Sequence, residues 1–208
     1  MKLQEWKKAM QNCATQVAEN QDLLCKLDSY VGDGDHGRTV ARGFIAVSEY
    51  LKDAQENTVS DMTAVIAHIL GKELGGAIGP IFQSIFSGFS AGSVGCEELT
   101  TQVLGDMFKK GLEEVKFIGE AKVGDKTLVD SLEPASISLQ ESAMQGLDVF
   151  EALKKASSAA KEGCEGTVDL VAKKGRAKFL GEKSKGYQDA GATTMYIIIN
   201  AISQSLTE

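Results

Sequence analysis

The sequence predicts an all-α protein, a single domain built as an up-and-down antiparallel bundle of helices. Three observations predict it. Apolar residues recur at the helical period along most of the chain. Only two prolines interrupt its 208 residues. The glycines gather in short clusters between the periodic segments (32-34-37, 75-76-79, 119-124, 163-166 and 175-181-186-191), as expected of short loops joining antiparallel helices. A chain of this length can bury a substantial core in one unit, so residues 1–208 are read as one domain without internal repeat or linker.

Trp6, Met10, Cys13 and Val17 fall at i, i+4, i+7 and i+11 and mark the first helix, with one buried stripe. Asp28 stands at the end of a helical segment, and Val40, Phe44, Val47 and Leu51 then repeat the first spacing. Further helices are expected over 61–74, 80–91, 97–115, 126–143, 148–161, 165–173 and 192–206, with Pro80 in a first turn, where its missing N–H is harmless. Residues 115–118 and 196–199 have strand-like composition, but they lack alternating partners and the second continues a helical pattern. The stretch 175–191 is polar and basic at its start, a long loop of the kind that serves as a lid or binding loop.

The composition, 43% hydrophobic and 25% charged, is that of a soluble globular protein. A net charge of −7 lacks the basic footprint of a nucleic-acid binder. An acidic protein that takes an anionic ligand must cancel the charge locally, with divalent cations or with N–H groups at helix starts. Cys13, Cys25, Cys96 and Cys164 form no CxxC pair and read as buried free thiols. The chain starts with a polar amphipathic segment rather than a signal core, so the expected location is cytoplasmic. The densest apolar run, 195–202, is under half of the ~18 residues that cross a bilayer and contains Asn200, so no membrane span is expected.

The chemistry concentrates in Gly32-Asp33-Gly34-Asp35-His36-Gly37. The glycines allow a tight turn on which Asp33 and Asp35 converge with Asp28, and an all-oxygen carboxylate set favours a hard cation such as Mg²⁺. The turn opens the helix of Val40–Leu51 spacing, so Gly37, Arg38 and Thr39 offer N–H groups, a cation and a hydroxyl to an anion. The bland alternative is that the aspartates only cap that helix. Calcium sensing is excluded because Phe44 stands at the twelfth position from Asp33, where an EF-hand needs a bidentate Glu. His36 alone reads as a turn residue and His68, among apolar neighbours, as structural; a zinc cluster is absent from the sequence. Gly75-Gly76-Ala77-Ile78-Gly79-Pro80 is either a backbone cradle at a helix start or a C-cap with close helix packing. Residues 119–127 imitate a Walker A loop, but Asp125 separates glycine from lysine and the βαβ context is missing.

Together these pieces resemble the DhaL-type, nucleotide-binding subunits of bacterial dihydroxyacetone kinases. The resemblance runs through Leu27-Asp28, the acidic turn, Gly75-Gly76-Ala77, Gly79-Pro80, Gly124-Asp125-Lys126-Thr127, Arg176, Leu180-Gly181-Glu182 and Gln188-Asp189-Ala190-Gly191-Ala192-Thr193. It implies an eight-helix barrel whose loops at one end hold ADP or ATP with two Mg²⁺ ions. It assigns the metal to Asp28, Asp33 and Asp35 and the phosphates to His36, Gly37, Arg38, Thr39, Ala77 and Ile78. It places Gly119 and Leu128 at the base, and Arg176, Asp189, Ala190 and Gly191 on a closing loop, with Arg176 and His36 as catalytic candidates. The implied partners are a separate dihydroxyacetone-binding kinase subunit and a phosphohistidine phosphotransferase subunit; a homodimer is left open. Three positions depart from the family pattern. Ile78 replaces a Ser and removes a hydroxyl; Ala190 replaces a Pro and removes a fixed φ, which is expected to loosen the lid; Thr39 replaces an Asn.

Overall fold

The computed structural model describes residues 1–206; Thr207 and Glu208, the end of the expected domain, lie outside the described residues. Nine α-helices occur among them, with two 3₁₀ segments and no strand: α1 Leu3–Glu19, α2 Gln21–Ser29, α3 His36–Asp53, α4 Val59–Leu74, α5 Ile78–Gly92, α6 Thr101–Gly119, α7 Val129–Met144, α8 Val149–Gly166 and α9 Ala190–Gln204. Eight of the helices close a ring. In chain order α3 packs on α4, α4 on α5, and so on to α9, while α1 packs on both α3 and α9 and shuts the barrel. The short α2 lies against α3 and α9.

The periodic stripes face the barrel interior: Trp6, Met10, Cys13 and Val17 of α1 and Val40, Phe44, Val47 and Leu51 of α3 are all fully buried. Phe44, Phe82, Phe86, Phe89 and Phe108 form a chain of edge-on, tilted and stacked contacts across α3, α5 and α6. The Trp6 indole donates to Thr63 Oγ1 at 2.9 Å, so the one buried indole N–H is satisfied. Helix α5 starts at Ile78 and holds Pro80 in its first turn, two residues earlier than the periodicity indicates.

Three sequence expectations are corrected. The helix expected over 165–173 does not exist: α8 runs on to Gly166, a 3₁₀ turn covers Thr167–Asp169, and the chain is extended at Leu170. Gly163 and Gly166 are therefore helical, not loop residues. Gly163 is needed because a Cβ there would sit 1.9 Å from Asp130 O of α7, the carbonyl whose helical partner is the N–H-less Pro134. Cys13 and Cys164 are buried free thiols, but Cys25 and Cys96 are half-buried. His68 points to solvent on α4 instead of packing among its apolar neighbours, because its position lies opposite the Met62, Ile66 and Leu70 stripe. No helix among the described residues is long and apolar enough to cross a membrane.

Candidate functional site: an acidic turn facing helix N-termini

Alternation around the ring brings the N-terminal ends of α3, α5, α7 and α9 to one end of the barrel. His36, Ala77 and Ile78, Leu128, and Ala190 mark those four starts, and all line a single cavity of about 590 Å³, within the size range of small-molecule sites. At the opposite end, α4, α6 and α8 are capped by Thr58, Thr100 and Asp148, which accept from Asp61, Val103 and Glu151 N–H groups at 3.0, 3.3 and 2.9 Å. At the cavity end α5 has no capping side chain, while the first N–H groups of α3 and α7 donate to Asp28 Oδ2 and Thr127 Oγ1 at 3.3 and 3.2 Å. Uncapped first-turn N–H groups and the positive ends of helix dipoles make an anion site.

The acidic turn lies across from them. One carboxylate oxygen each from Asp28, Asp33 and Asp35 fall within 4.8 Å of one another, the one such cluster among the described residues. Asp28 comes from the last turn of α2, and a Cβ on Gly32 would lie 2.3 Å from Asp28 Oδ1 and push that carboxylate aside; Gly34 supplies the left-handed φ of +73° that turns the chain back. The His36 N–H donates to Asp28 Oδ2 at 3.3 Å and ties the turn to the start of α3. All-oxygen donors, partly exposed and not closed into a cage, fit Mg²⁺ shared with phosphate and water.

The His36 Nε2 lies 2.7 Å from Thr194 Oγ1 of α9, and that hydroxyl donates its proton to Ala190 O at 2.9 Å. His36 therefore donates from Nε2. Burial holds its pKa below the usual histidine value, against the pull of Asp28. Asp189 caps α9 by accepting from the Ala192 N–H at 2.7 Å. Ala190, where the family has Pro, is buried as the first residue of α9, so the cap and the helix set its φ in place of a ring.

The stretch 175–191 is an anchored strap. A 3₁₀ helix, Ala177–Ser184, bends at Gly181; Ser184 Oγ accepts from the Ala172 N–H at 2.9 Å, and the Gly186 N–H donates to Val168 O at 2.8 Å. Arg176 reaches across to form an ion pair with Asp33. The Tyr30 and Tyr187 rings stack at 4.5 Å, joining the strap to the end of α2 beside the acidic turn. Lys126, 2% exposed with a left-handed φ of +61°, donates to Thr167 O and Tyr187 O, and Asp130 accepts from the Gly124 and Thr127 N–H groups at 2.6 and 2.7 Å. The Walker-like 119–127 stretch is thus the connection between α6 and α7, and its lysine binds main-chain carbonyls.

Of the residues nominated from sequence, Asp28, Asp33, Asp35, His36, Thr39, Ala77, Ile78, Leu128, Arg176, Asp189, Ala190 and Gly191 share the cavity. Gly37, Arg38 and Gly119 stand off its wall. Gly37 is buried on α2, where a Cβ would meet Gln21 O at 2.1 Å; Gly119 ends α6 against Ile81; the Arg38 side chain is exposed elsewhere. Arg42, Lys174, Gly75 and Gly76 also line the cavity. Arg42 was legible in principle, since positions 36, 39 and 42 fall on one helical face.

A helical barrel with a three-carboxylate turn beside converging helix N-termini fits a class: proteins that hold a phosphorylated ligand through a divalent cation. Residues 30–204 match the DAK2 domain, and the chain belongs to that family. It is 34% identical over 196 residues to the ADP-binding subunit DhaL of the PEP-dependent dihydroxyacetone kinase of Escherichia coli K12, covering 94% of this chain and 93% of the relative. It is 35% identical over 175 residues to the corresponding subunit of the PTS-dependent dihydroxyacetone kinase of Lactococcus lactis, covering 84% and 83%. It also superposes on the dihydroxyacetone kinase of C. freundii crystallised with AMP-PNP and Mg²⁺, with a TM-score of 0.75 at 25% identity over 96% of this chain. The chain spans about a third of that kinase, 33% of its length.

Proposed function

We propose that this chain is the ADP- and Mg²⁺-binding subunit of a dihydroxyacetone kinase, acting in the cytoplasm. Phosphate passes from its bound nucleotide to dihydroxyacetone held on a separate subunit, and the nucleotide is recharged by a phosphohistidine phosphotransferase partner. The observation that carries the reading is the joining of the Asp28, Asp33 and Asp35 cluster with four helix N-termini in one cavity. Both subunits compared above, which the chain matches over most of their length, are named as ADP-binding subunits.

Phosphoryl transfer needs positioning and charge stabilisation more than covalent help. Asp28, Asp33 and Asp35 would hold Mg²⁺, proposed as two ions, which would supply neutralisation of phosphate charge. The chain's own groups do the rest. The Ala77 and Ile78 N–H groups bind phosphate oxygens, with backbone donors alone because Ile78 has no hydroxyl, Pro80 has no N–H and the Gly79 N–H is taken by Gly75 O. Thr39 offers its hydroxyl from the next turn of α3, and Leu128 with Ile81 gives an apolar wall for the base. Arg176 sits on the strap, paired to Asp33, within reach of charge that develops on the transferred group. His36 keeps its neutral ring fixed on Thr194 and so holds α3 and α9 together beneath the site.

The test is reconstitution. The ADP-loaded chain, mixed with a dihydroxyacetone-binding subunit and a phosphohistidine donor, should give dihydroxyacetone phosphate at a rate that falls at least 100-fold in Asp33→Ala. Tight ADP binding with no transfer in any such mixture would instead identify a nucleotide-binding regulatory module.

A further inference from the structure

Arg42 lines the cavity but has no part in the function proposed above. It stands on α3 one turn beyond Thr39, on the cavity face. Its Nε donates to Glu73 O at 2.9 Å and its Nη2 to Leu74 O at 3.3 Å. These are the last two carbonyls of α4, left without helical partners because the helix stops there. A helix that ends at glycine usually satisfies such carbonyls with N–H groups of the residues that follow. Here Gly75 leaves α4 with φ +64° and ψ 178° and makes no such bond, and the guanidinium takes that place.

The chain then crosses Gly76, also left-handed at φ +53°, to the uncapped first turn of α5. Only two residues, Gly75 and Gly76, separate the carbonyls held by Arg42 from the Ala77 and Ile78 N–H groups that face the cavity. Neither has a side chain to hold it, and a Cβ on Gly76 would touch nothing within 4 Å. The Gly79 N–H donates to Gly75 O at 3.1 Å and Gly79 packs against Gly71 O, which holds α5 to α4; the bond from α3 is what ties that joint to Asp33 and Asp35, which precede the same α3.

We infer that Arg42 is a positioning residue: its fork, bridging Glu73 O and Leu74 O, fixes the distance between the metal turn and the phosphate-facing start of α5. The inference rests on the nucleotide reading above. A planar guanidinium serves two neighbouring carbonyls in fixed geometry, whereas a lysine brings the same charge on a flexible stem without the fork.

The experiment titrates the wild-type chain, Arg42→Lys and Arg42→Ala with ADP in Mg²⁺ by calorimetry, and follows amide exchange of each ligand-free protein. Both variants should bind ADP at least fivefold more weakly at a temperature where circular dichroism shows them folded. Exchange should rise at residues 75–79 but not along the strap at 176–186. A purely stabilising helix cap would lower the melting temperature and leave the affinity of the folded protein alone. ADP affinities within twofold of wild type for both variants, or for Arg42→Lys alone, would overturn the inference, and Arg42→Lys decides by itself if Arg42→Ala does not fold. Failure of the wild-type chain to bind ADP would remove the nucleotide reading together with it, a result distinct from equal binding by all three proteins.

Discussion

Asp189 accepts the Ala192 N–H at the start of α9, and its pKa is pushed up to about 6 from 3.8. Burial raises it, the Ala192 N–H and Lys126 oppose, and Asp130 adds to the rise. The folded state thus keeps a proton on Asp189 that the unfolded chain has released, so between pH 4 and 6 folding binds protons. This group's contribution to stability is complete below pH 4 and is lost as the pH rises through about 6. Asp189→Asn retains an acceptor for the cap and has no charge to bury. Urea unfolding at pH 4.5, 5.5 and 7 should show the variant gaining on wild type as the pH rises, and a constant difference would contradict the assigned cause. At this scale the acidic turn was legible, because Asp28, Asp33 and Asp35 are neighbours in sequence and glycine explains how they converge. The partners of Arg42 and Lys126 were not, because Glu73, Leu74, Thr167 and Tyr187 come from distant elements; only the place of Arg42 on the cavity face of its helix follows from spacing.

Helices show the opposite balance. Their buried stripes follow from spacing, as in α1 and α3, but glycine carries two meanings that sequence does not separate. Some glycines punctuate loops, as Gly75 and Gly186 do with positive φ. Others let backbones touch: a Cβ on Gly88 of α5 would lie 2.4 Å from Gly111 N of α6, and one on Gly92 would lie 2.4 Å from Met107 Cα. Gly163 belongs to this second group, and reading it as a loop marker is what split α8 in two. Gly88→Ala should therefore force α5 and α6 apart and destabilise the protein by about 2 kcal/mol or more, the cost of overpacking. A thermal or urea midpoint measures it, and a neutral substitution would mean that the two helices separate freely. The helical segment expected to end at Asp28 is α2, which buries only Leu24 and is held by contact with α3 and α9 more than by an apolar repeat of its own.

Over the whole molecule, a net charge of −7 coexists with a site for an anion because the ring alternates. Every second helix begins at the same end, so four positive helix ends face one cavity, joined by Arg42, Lys126, Lys174 and Arg176 against Asp28, Asp33, Asp35 and Asp189. Apolar periodicity and loop glycines predict an up-and-down helical bundle, and the family resemblance an eight-helix barrel, but the spacing alone does not say which ends meet, since that depends on ring closure between α1 and α9. In this arrangement the carboxylates repel a bare nucleotide and attract it once a divalent cation lies between them. The most direct measurement is calorimetric titration of ADP into the wild-type chain and Asp33→Ala, with Mg²⁺ and with chelator. The account predicts binding that requires Mg²⁺ and weakens at least 100-fold in Asp33→Ala; binding equally strong without the cation, or unchanged by the substitution, would contradict it.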